Sequence, residues 1–369
     1  MLKMRPTIPA NLPKEIQVDG GLLTLVGKAN AALSEYKGRL LTLPNPNILL
    51  APLVSKEAVF SSKIEGTRTE LNELLENLDQ NIEEDESSQW LEDLKEVRNY
   101  DITLTISSEL IEQGHPLSQH LIRQCHQNLM RSVRGKDKKP GHYRKIQNFI
   151  GHNHHIEDAR YVPPTPETME SAMNNLEEYL KYEDIDPLIQ TAIVHAQFEI
   201  IHPFLDGNGR VGRMLIPLFL YWKKYLNYPA FYISEYLEKN RAEYYDRLLA
   251  ITSQDDWYRW ITFFLEGVIE QANKNQMIIE EIIELYNDIK MKVPEITASR
   301  YAIQIVDYLF SRPIFTIPQL AKKIDSGPGT ITKSIRKLHE SNILELFRQG
   351  KGQKASGWAF KPLLEIIHK

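Results

Sequence analysis

The chain has one cysteine, Cys125, in 369 residues, so no disulfide can form within it, and a reducing, cytoplasmic setting is the default expectation. Cys125 falls in a stretch of helical spacing and reads as a small buried residue. Long apolar runs are missing as well. None approaches the ~18 residues a membrane helix needs, so no membrane contact is expected. Residues Met1 to Pro13 lack the apolar core of a signal peptide. Fixed-period repeats and low-complexity tracts are absent, which sets those architectures aside.

What is present is ordinary globular composition: 42% hydrophobic, 25% charged, in a length that suits two or three domains. Helical spacing dominates from about residue 21 to 292, and residues 258–290 read as one or two long helices ending before Pro294. The formal net charge of −5 is unevenly spread. Between Arg300 and Lys369, twelve Lys and Arg stand against five Asp and Glu, which leaves +7 there and −12 elsewhere. That asymmetry marks a boundary. Residues 1–110, 111–292 and 293–369 are the expected divisions. The run Glu83 to Glu86 reads as a solvated loop or a helix start.

Chemistry concentrates in His202-Pro203-Phe204-Leu205-Asp206-Gly207-Asn208-Gly209-Arg210. A residue before proline avoids the α region, so the helix through His195, Phe198 and Glu199 should end near His202. Its imidazole then sits on a turn, suited to taking a proton near neutral pH. Asp206 can hold a hard cation such as Mg²⁺ through one carboxylate plus substrate oxygens. Gly207, Asn208 and Gly209 tolerate left-handed backbone, so their N–H groups can converge on an anion. The next segment has helical spacing at Val211, Met214, Leu215 and Leu218, which puts this nest at a helix N-terminus. Arg210 and Arg213 lie three apart on that helix, and two guanidinium forks suit a polyphosphate. Pro217 should kink it. His195, seven residues upstream, reads as a core histidine supporting the loop.

With Arg213, these residues complete the pattern HPFxDGNGRxxR and resemble the Fic family. The resemblance implies a mainly α fold: a helical core with a β-hairpin flap. It implies a protein adenylyltransferase, moving AMP from ATP to a Thr, Tyr or Ser hydroxyl of a target protein. His202 would be the base and Asp206 the ligand of Mg²⁺ (or Mn²⁺). Gly207, Asn208, Gly209 and Arg210 would cradle the α- and β-phosphates, with Arg213 on the γ-phosphate.

Upstream, Ser61-Ser62-Lys63-Ile64-Glu65-Gly66 is similar to the family's inhibitory pattern [S/T]xxxE[G/N]. Ser61 and Glu65 share a helix face, and Gly66 suits the position past a helix C-terminus. Thr67 to Glu70 reads as a capping box for the next helix. Glu65 is expected to pair with Arg213 and occupy the space the γ-phosphate needs.

Residues Ile146 to Ile150 and Ile156 to Val162 read as a hairpin, similar to the Fic flap that docks a target segment; Ile150 and Gly151 are its candidate docking residues. His152, His154 and His155 near the tip read as an exposed loop rather than a metal site. By the same resemblance, Asn240, Tyr244 and Tyr245 are candidates for the adenine pocket. Tyr244 and Tyr245 point different ways on a helix, and which one faces the base stays open.

After residue 300 the order is a helix at Ala302 to Phe310, a helix capped by Thr316, a Ser326-Gly327-Pro328-Gly329 turn, a third helix from Thr330 to Ser341 with Lys333, Arg336 and Lys337, and a hairpin of Ile343 to Leu346 and Gly357 to Phe360. This resembles a small winged helix-turn-helix domain, whose basic third helix suits DNA or a protein partner. An alternative function is therefore a DNA-binding regulator using the core as an ATP sensor. Within the family, removal of AMP is another. Self-modification and a homodimer stay open.

Overall fold

In the computed structural model, residues 5–78, 88–131, 133, 138–151, 159–350, 352 and 355–369 are described. Glu83 to Glu86 and the three flap histidines lie outside them. The N-terminal helices are α1 (Gly20–Leu40), α2 (Pro46–Leu49), α3 (Ala51–Ile64), α4 (Leu71–Asn77), α5 (Gln89–Glu112) and α6 (Gln119–Leu129). The central set is α7 (Pro166–Lys181), α8 (Pro187–Ile201), α9 (Asn208–Trp222), α10 (Ser234–Lys239), α11 (Arg241–Gln254) and α12 (Trp257–Thr297). Then come α13 (Ala302–Ser311), β1 (Ile314–Thr316), α14 (Ile317–Ile324), α15 (Pro328–Glu340), β2 (Glu345–Arg348), β3 (Gly357–Ala359) and α16 (Lys361–Ile367). The fold is mainly α.

Helix α8 sets the frame for the loop. Asp186 caps it, its side chain accepting from the N–H groups of Leu188 and Ile189 at 2.8 and 3.2 Å. Thirteen of its fifteen residues are buried, as expected for a helix enclosed on every side. It packs on α9, α7 and α12, and α9 in turn meets α3, α5 and α6. α9 runs unbroken through Pro217, with Ile216, Pro217 and Leu218 all buried.

Helix α12 is 41 residues long and passes Pro294, where a stop was expected. A proline in the last turn removes one bond, to the carbonyl of Lys290. Buried Val293 and Thr297 hold that turn by packing, and Ala298 closes it by donating to the Pro294 carbonyl at 2.9 Å. The expected boundary at 292/293 thus lies inside a helix that touches α1 and α8 as well as α13, α15 and α16.

In the C-terminal segment β3 lies between β1 and β2, antiparallel to both, with Phe315 and Leu346 opposite Trp358. Thr316 and Gln319 form a capping box on α14. β1 and α16 lie outside the expected elements. β2 begins at Glu345 because Ile343 and Leu344 turn their N–H groups back to the Leu338 carbonyl to close α15.

One further local expectation needs correction. The helix after Gly66 starts at Leu71, with Glu70 as cap and Glu73 completing the box. Thr67 and Thr69 are buried, and the N–H of Arg68 donates to Asp93 on α5 at 2.9 Å, so this stretch stays extended. Of the expected flap hairpin, residues 152–158 lie outside the described residues; within them Ile150 and Tyr161 form one antiparallel bridge. Residues before it bond sideways instead, Gln147 to the Pro163 carbonyl (2.8 Å) and Asn148 to the Phe204 carbonyl (3.1 Å).

Candidate functional site

His202 ends α8 in the left-handed conformation (φ 49°, ψ 60°), with its N–H still donating to Phe198 at 3.0 Å. Buried Arg144 fixes this uncommon geometry. Its Nε donates to the His202 carbonyl at 2.9 Å, and its Nη2 to the carbonyls of Pro164 (2.5 Å) and Ile201 (3.4 Å). Burial lowers the His202 pKa to about 4 against the opposing pull of the Glu199 carbonyl, so the imidazole is neutral at pH 7. A neutral ring can accept a proton.

The loop is braced from within. Asn208 accepts from the Phe204 N–H (2.8 Å) and donates to the Phe204 carbonyl (2.9 Å), so its side chain ties the loop rather than facing outward. His126, stacked on Phe204 at 3.7 Å, accepts the Gly141 N–H at Nδ1 and therefore donates from Nε2 to the Asp206 carbonyl at 3.0 Å. Gly207 has φ +75°, and a Cβ there would stand 2.9 Å from the Met130 sulfur. Only Gly207 of the Gly207-Asn208-Gly209 set is left-handed; Asn208 and Gly209 are already the first turn of α9. Asp206 accepts the Gly207 N–H at 2.7 Å and pairs with exposed Lys138 at 3.2 Å.

The two arginines part company. Arg210 pairs with Glu96 on α5, both side chains buried, at 2.8 Å, while its Nε has no hydrogen-bond partner among the described residues. Three-residue spacing put both on one side of the helix; long side chains and different carboxylates then separated their heads. Arg213 faces α3. Its Nε donates to Ser61 Oγ at 2.9 Å, and its Nη2 to the Ser61 carbonyl at 2.9 Å and to Glu65 Oε1 at 2.6 Å.

Glu65 is presented by a Schellman closure of α3: Thr67 donates to Ser62 and Gly66 to Lys63, with Gly66 at φ +100°. Burial works against its charge, but the Arg213 guanidinium outweighs that and holds the carboxyl below its ordinary pKa. Glu65 comes so close to the start of α9 that a Cβ on Gly209 would meet its Oε1 at 2.2 Å. Behind Ser61, one turn back on α3, buried Glu57 accepts from Ser234 and from Tyr100. Burial raises its pKa to about 7.

Of the expected site residues, Glu65, His202, Gly209, Arg213, Ile150, Gly151 and Tyr245 line one cavity of about 350 Å³; Asp206, Gly207, Asn208 and Arg210 are not among its lining residues. Glu65, His202, Gly209 and Arg213 form its polar end; Ile150 and Gly151 of the flap and Tyr245, Leu248 and Leu249 of α11 enclose it. Tyr245 is therefore the tyrosine on the cavity. Tyr244 is buried behind it and donates to His195 Nε2 at 3.0 Å, while His195 Nδ1 donates to the Gly212 carbonyl at 2.9 Å. His195 is the core histidine its position suggested. Asn240 turns its amide to the Tyr236 carbonyl at 3.0 Å. Cys125 is buried beside Ser107. Arg144, His126, Glu57 and Glu199 were not singled out as site residues from sequence, because only their distant partners give them a role.

Fold and site define a class: a mainly helical protein in which a histidine–glycine loop opens a helix inside one cavity. The Fic/DOC family model matches residues 116–220, and the Fic/DOC N-terminal model residues 23–107, together just over half of the 369 residues. The chain belongs to the Fic/DOC family. It is 25% identical over 281 residues to a probable protein adenylyltransferase of Aquifex aeolicus, covering 74% of this chain and 76% of that one. It is 26% identical over 212 residues to the protein adenylyltransferase Fic of Nematostella vectensis, covering 56% of this chain and 45% of that one. Against the Drosophila virilis protein of the same name it is 23% identical over 325 residues, 85% of this chain and 60% of the relative. The chain thus spans about half the length of the animal relatives. In fold it is similar to a Fic family protein from Desulfovibrio desulfuricans (TM-score 0.57, 17% identity, 97% of this chain and 98% of that one) and to Fic-1 from Caenorhabditis elegans (TM-score 0.54, 19% identity, 72% and 74%). Among the described residues no helix is long and apolar enough to cross a membrane.

Proposed function

We propose that this chain is a protein adenylyltransferase held in check by its own Glu65. The observation that carries the reading is the single cavity holding His202, the start of α9, and Arg213 with Glu65 seated on it. The N–H groups at the start of α9 and its dipole favour the phosphates of ATP. His202 would take the proton of a target Ser, Thr or Tyr hydroxyl as that oxygen attacks the α-phosphorus; the bond to the bridging oxygen breaks and pyrophosphate leaves. Positioning by Arg144 and the flap residues Ile150 and Gly151 supplies the alignment such a displacement needs.

The donor set at Asp206 fits Mg²⁺ or Mn²⁺. It is a hard, partly exposed carboxylate paired with Lys138 at 3.2 Å, and a bound ion would take its further oxygens from the phosphates. The ion would neutralise charge on the departing pyrophosphate. Lys138 would give way to it.

Glu65 fills the place on Arg213 that a γ-phosphate would take, so ATP would settle in a pose unsuited to transfer until Glu65 withdraws. The same carboxylate could position water for removal of AMP. The test is a lysate treated with Glu65→Gly protein and ATP labelled at either the α- or the γ-phosphate. Label entering protein from the α position alone supports the reading; label from the γ position contradicts it.

A second reading concerns residues 300–369. The sequence α13, β1, α14, α15, β2, β3 supports a winged helix unit, and Lys333, Arg336 and Lys337 are exposed on α15. Arg336, however, pairs with Glu340, and Lys337 with the Thr297 carbonyl. DNA or protein contact here would accompany the transferase activity rather than replace it.

A further inference from the structure

One buried ring behind the loop does more than fill space. His126, on α6, is 1% exposed, and both of its nitrogens are engaged. The Gly141 N–H points at Nδ1 (2.8 Å), so that nitrogen carries no proton. The ring is therefore neutral, and Nε2 carries the proton it donates to the Asp206 carbonyl (3.0 Å). The ring also lies flat on Phe204, with centroids 3.7 Å apart and planes 1° from parallel. One imidazole thus joins two distant segments and grips the loop at two residues, Phe204 and Asp206.

Both segments are tightly defined. Gly141 is held from each side: its carbonyl accepts from Arg123 Nε at 2.8 Å, and at φ +78° a Cβ would stand 3.1 Å from the Gln127 Cβ. The short stretch it anchors carries Lys138 and Arg144. Those cations reach different points of the loop, Lys138 the Asp206 carboxylate (3.2 Å) and Arg144 the His202 carbonyl (2.9 Å). Asp206 in turn engages the Gly207 N–H with Oδ1 (2.7 Å), which leaves Oδ2, the oxygen that Lys138 meets, as the outward one. With its carbonyl held by His126 and its Oδ1 by the backbone, neither end of Asp206 turns freely. A phenylalanine at position 126 could stack on Phe204 as well, but would make neither bond.

We propose that His126 is a positioning residue for the transfer reaction: it ties Asp206 to Gly141, and so aims Asp206 Oδ2 at the metal while keeping Arg144 on the histidine that acts as base. This rests on the reading of Asp206 and His202 above. A group that hydrogen-bonds behind a metal ligand fixes its orientation, and losing one typically costs ~10- to 100-fold in metal affinity or activity. The two nitrogens divide the work. Nε2 serves the metal ligand directly, and Nδ1 serves the base through Gly141 and Arg144.

The two bonds can be removed one at a time in the full chain carrying Glu65→Gly. His126→Asn puts an amide oxygen in the place of Nδ1 and keeps only the Gly141 bond. His126→Gln puts an amide nitrogen in the place of Nε2 and keeps only the Asp206 bond. Calorimetric titration with ATP, in Mg²⁺ and in EDTA, measures how much the ion tightens binding. That gain should fall by roughly tenfold in His126→Asn and survive in His126→Gln. His126→Gln should instead lower kcat with KM for ATP kept, and its Gly141 amide should exchange faster in the metal-free protein. A gain unchanged in His126→Asn, or lost equally by both variants, marks a purely structural residue and overturns this inference alone. The ¹⁵N-labelled ring in the Glu65→Gly parent gives a readout that depends on no variant at 126: it should hold one tautomer, protonated on Nε2, and a proton on Nδ1 overturns the inference as well. No Mg²⁺-dependent gain in the parent, with ATP still bound, overturns the metal reading of Asp206 and this inference together. No ATP binding at all overturns the nucleotide-site reading with them.

Discussion

Removing Glu65 should weaken the ligand-free protein and strengthen its response to ATP. Arg213 is 1% exposed and Glu65 33% exposed. Breaking a fully buried ion pair costs about 3–5 kcal/mol. Here the carboxylate is partly solvated and Arg213 keeps both bonds to Ser61, so the loss should be nearer the ~1.5–3 kcal/mol of a single hydrogen bond to a charged group. Glycine at 65 adds about 0.5–1 kcal/mol of backbone entropy, which Glu65→Ala separates. A γ-phosphate that takes the vacated place restores what was lost. Saturating ATP should then stabilise Glu65→Ala more than wild type by about 1.5–3 kcal/mol, or roughly 10- to 100-fold in apparent affinity. Urea unfolding with and without ATP reads both quantities. Equal stabilisation of the two proteins by ATP would refute the claim that Glu65 and the γ-phosphate compete for Arg213.

Other expectations follow from the same geometry. Glu96→Ala strands the buried Arg210 charge and should cost about 3–5 kcal/mol in thermal or urea unfolding, whereas replacing Glu96 and Arg210 together by Leu and Met should cost less. Gly209→Ala drives a methyl into Glu65 and Arg213, so it should lose both the pair and ATP binding; intact ATP binding by titration would contradict the assignment of α9's first turn. Burial holds His195 neutral with a pKa lowered to about 3, below its unfolded value, so its contribution is full above about pH 6.5 and lost as pH falls toward 3. His195→Asn should accordingly flatten the acid limb of stability against pH.

The loop from His202 to Arg213 was legible because its parts are contiguous: a pre-proline histidine, a positive-φ glycine at 207 and a helix start need no distant partner to be recognised. Glu65 was legible through the resemblance of Ser61 to Gly66 to the family's inhibitory pattern, although the carboxylate and its arginine are 148 residues apart. Partner choice over such distances explains most of what was not. Nothing local sends Arg210 to Glu96, or fixes Arg144 on the His202 carbonyl. Tertiary packing overrode local punctuation at Pro294, where buried Val293 and Thr297 carry α12 onward. At Thr67 to Glu70 the capping signal was real but shifted by one turn, because Asp93 engages the Arg68 N–H first. Of the two tyrosines on α11, only the fold could show that Tyr245 meets the cavity and Tyr244 meets His195.

The central claim is tested most directly by incorporation of α-phosphate-labelled ATP into protein in the presence of Mg²⁺, comparing wild type, Glu65→Gly, and Glu65→Gly combined with His202→Ala. The account predicts strong labelling by Glu65→Gly, little by wild type and almost none by the double variant, since removal of a general base costs ~10²–10⁴-fold. Labelling of equal strength by Glu65→Gly and the double variant, or by none of the three while ATP still binds, would contradict it.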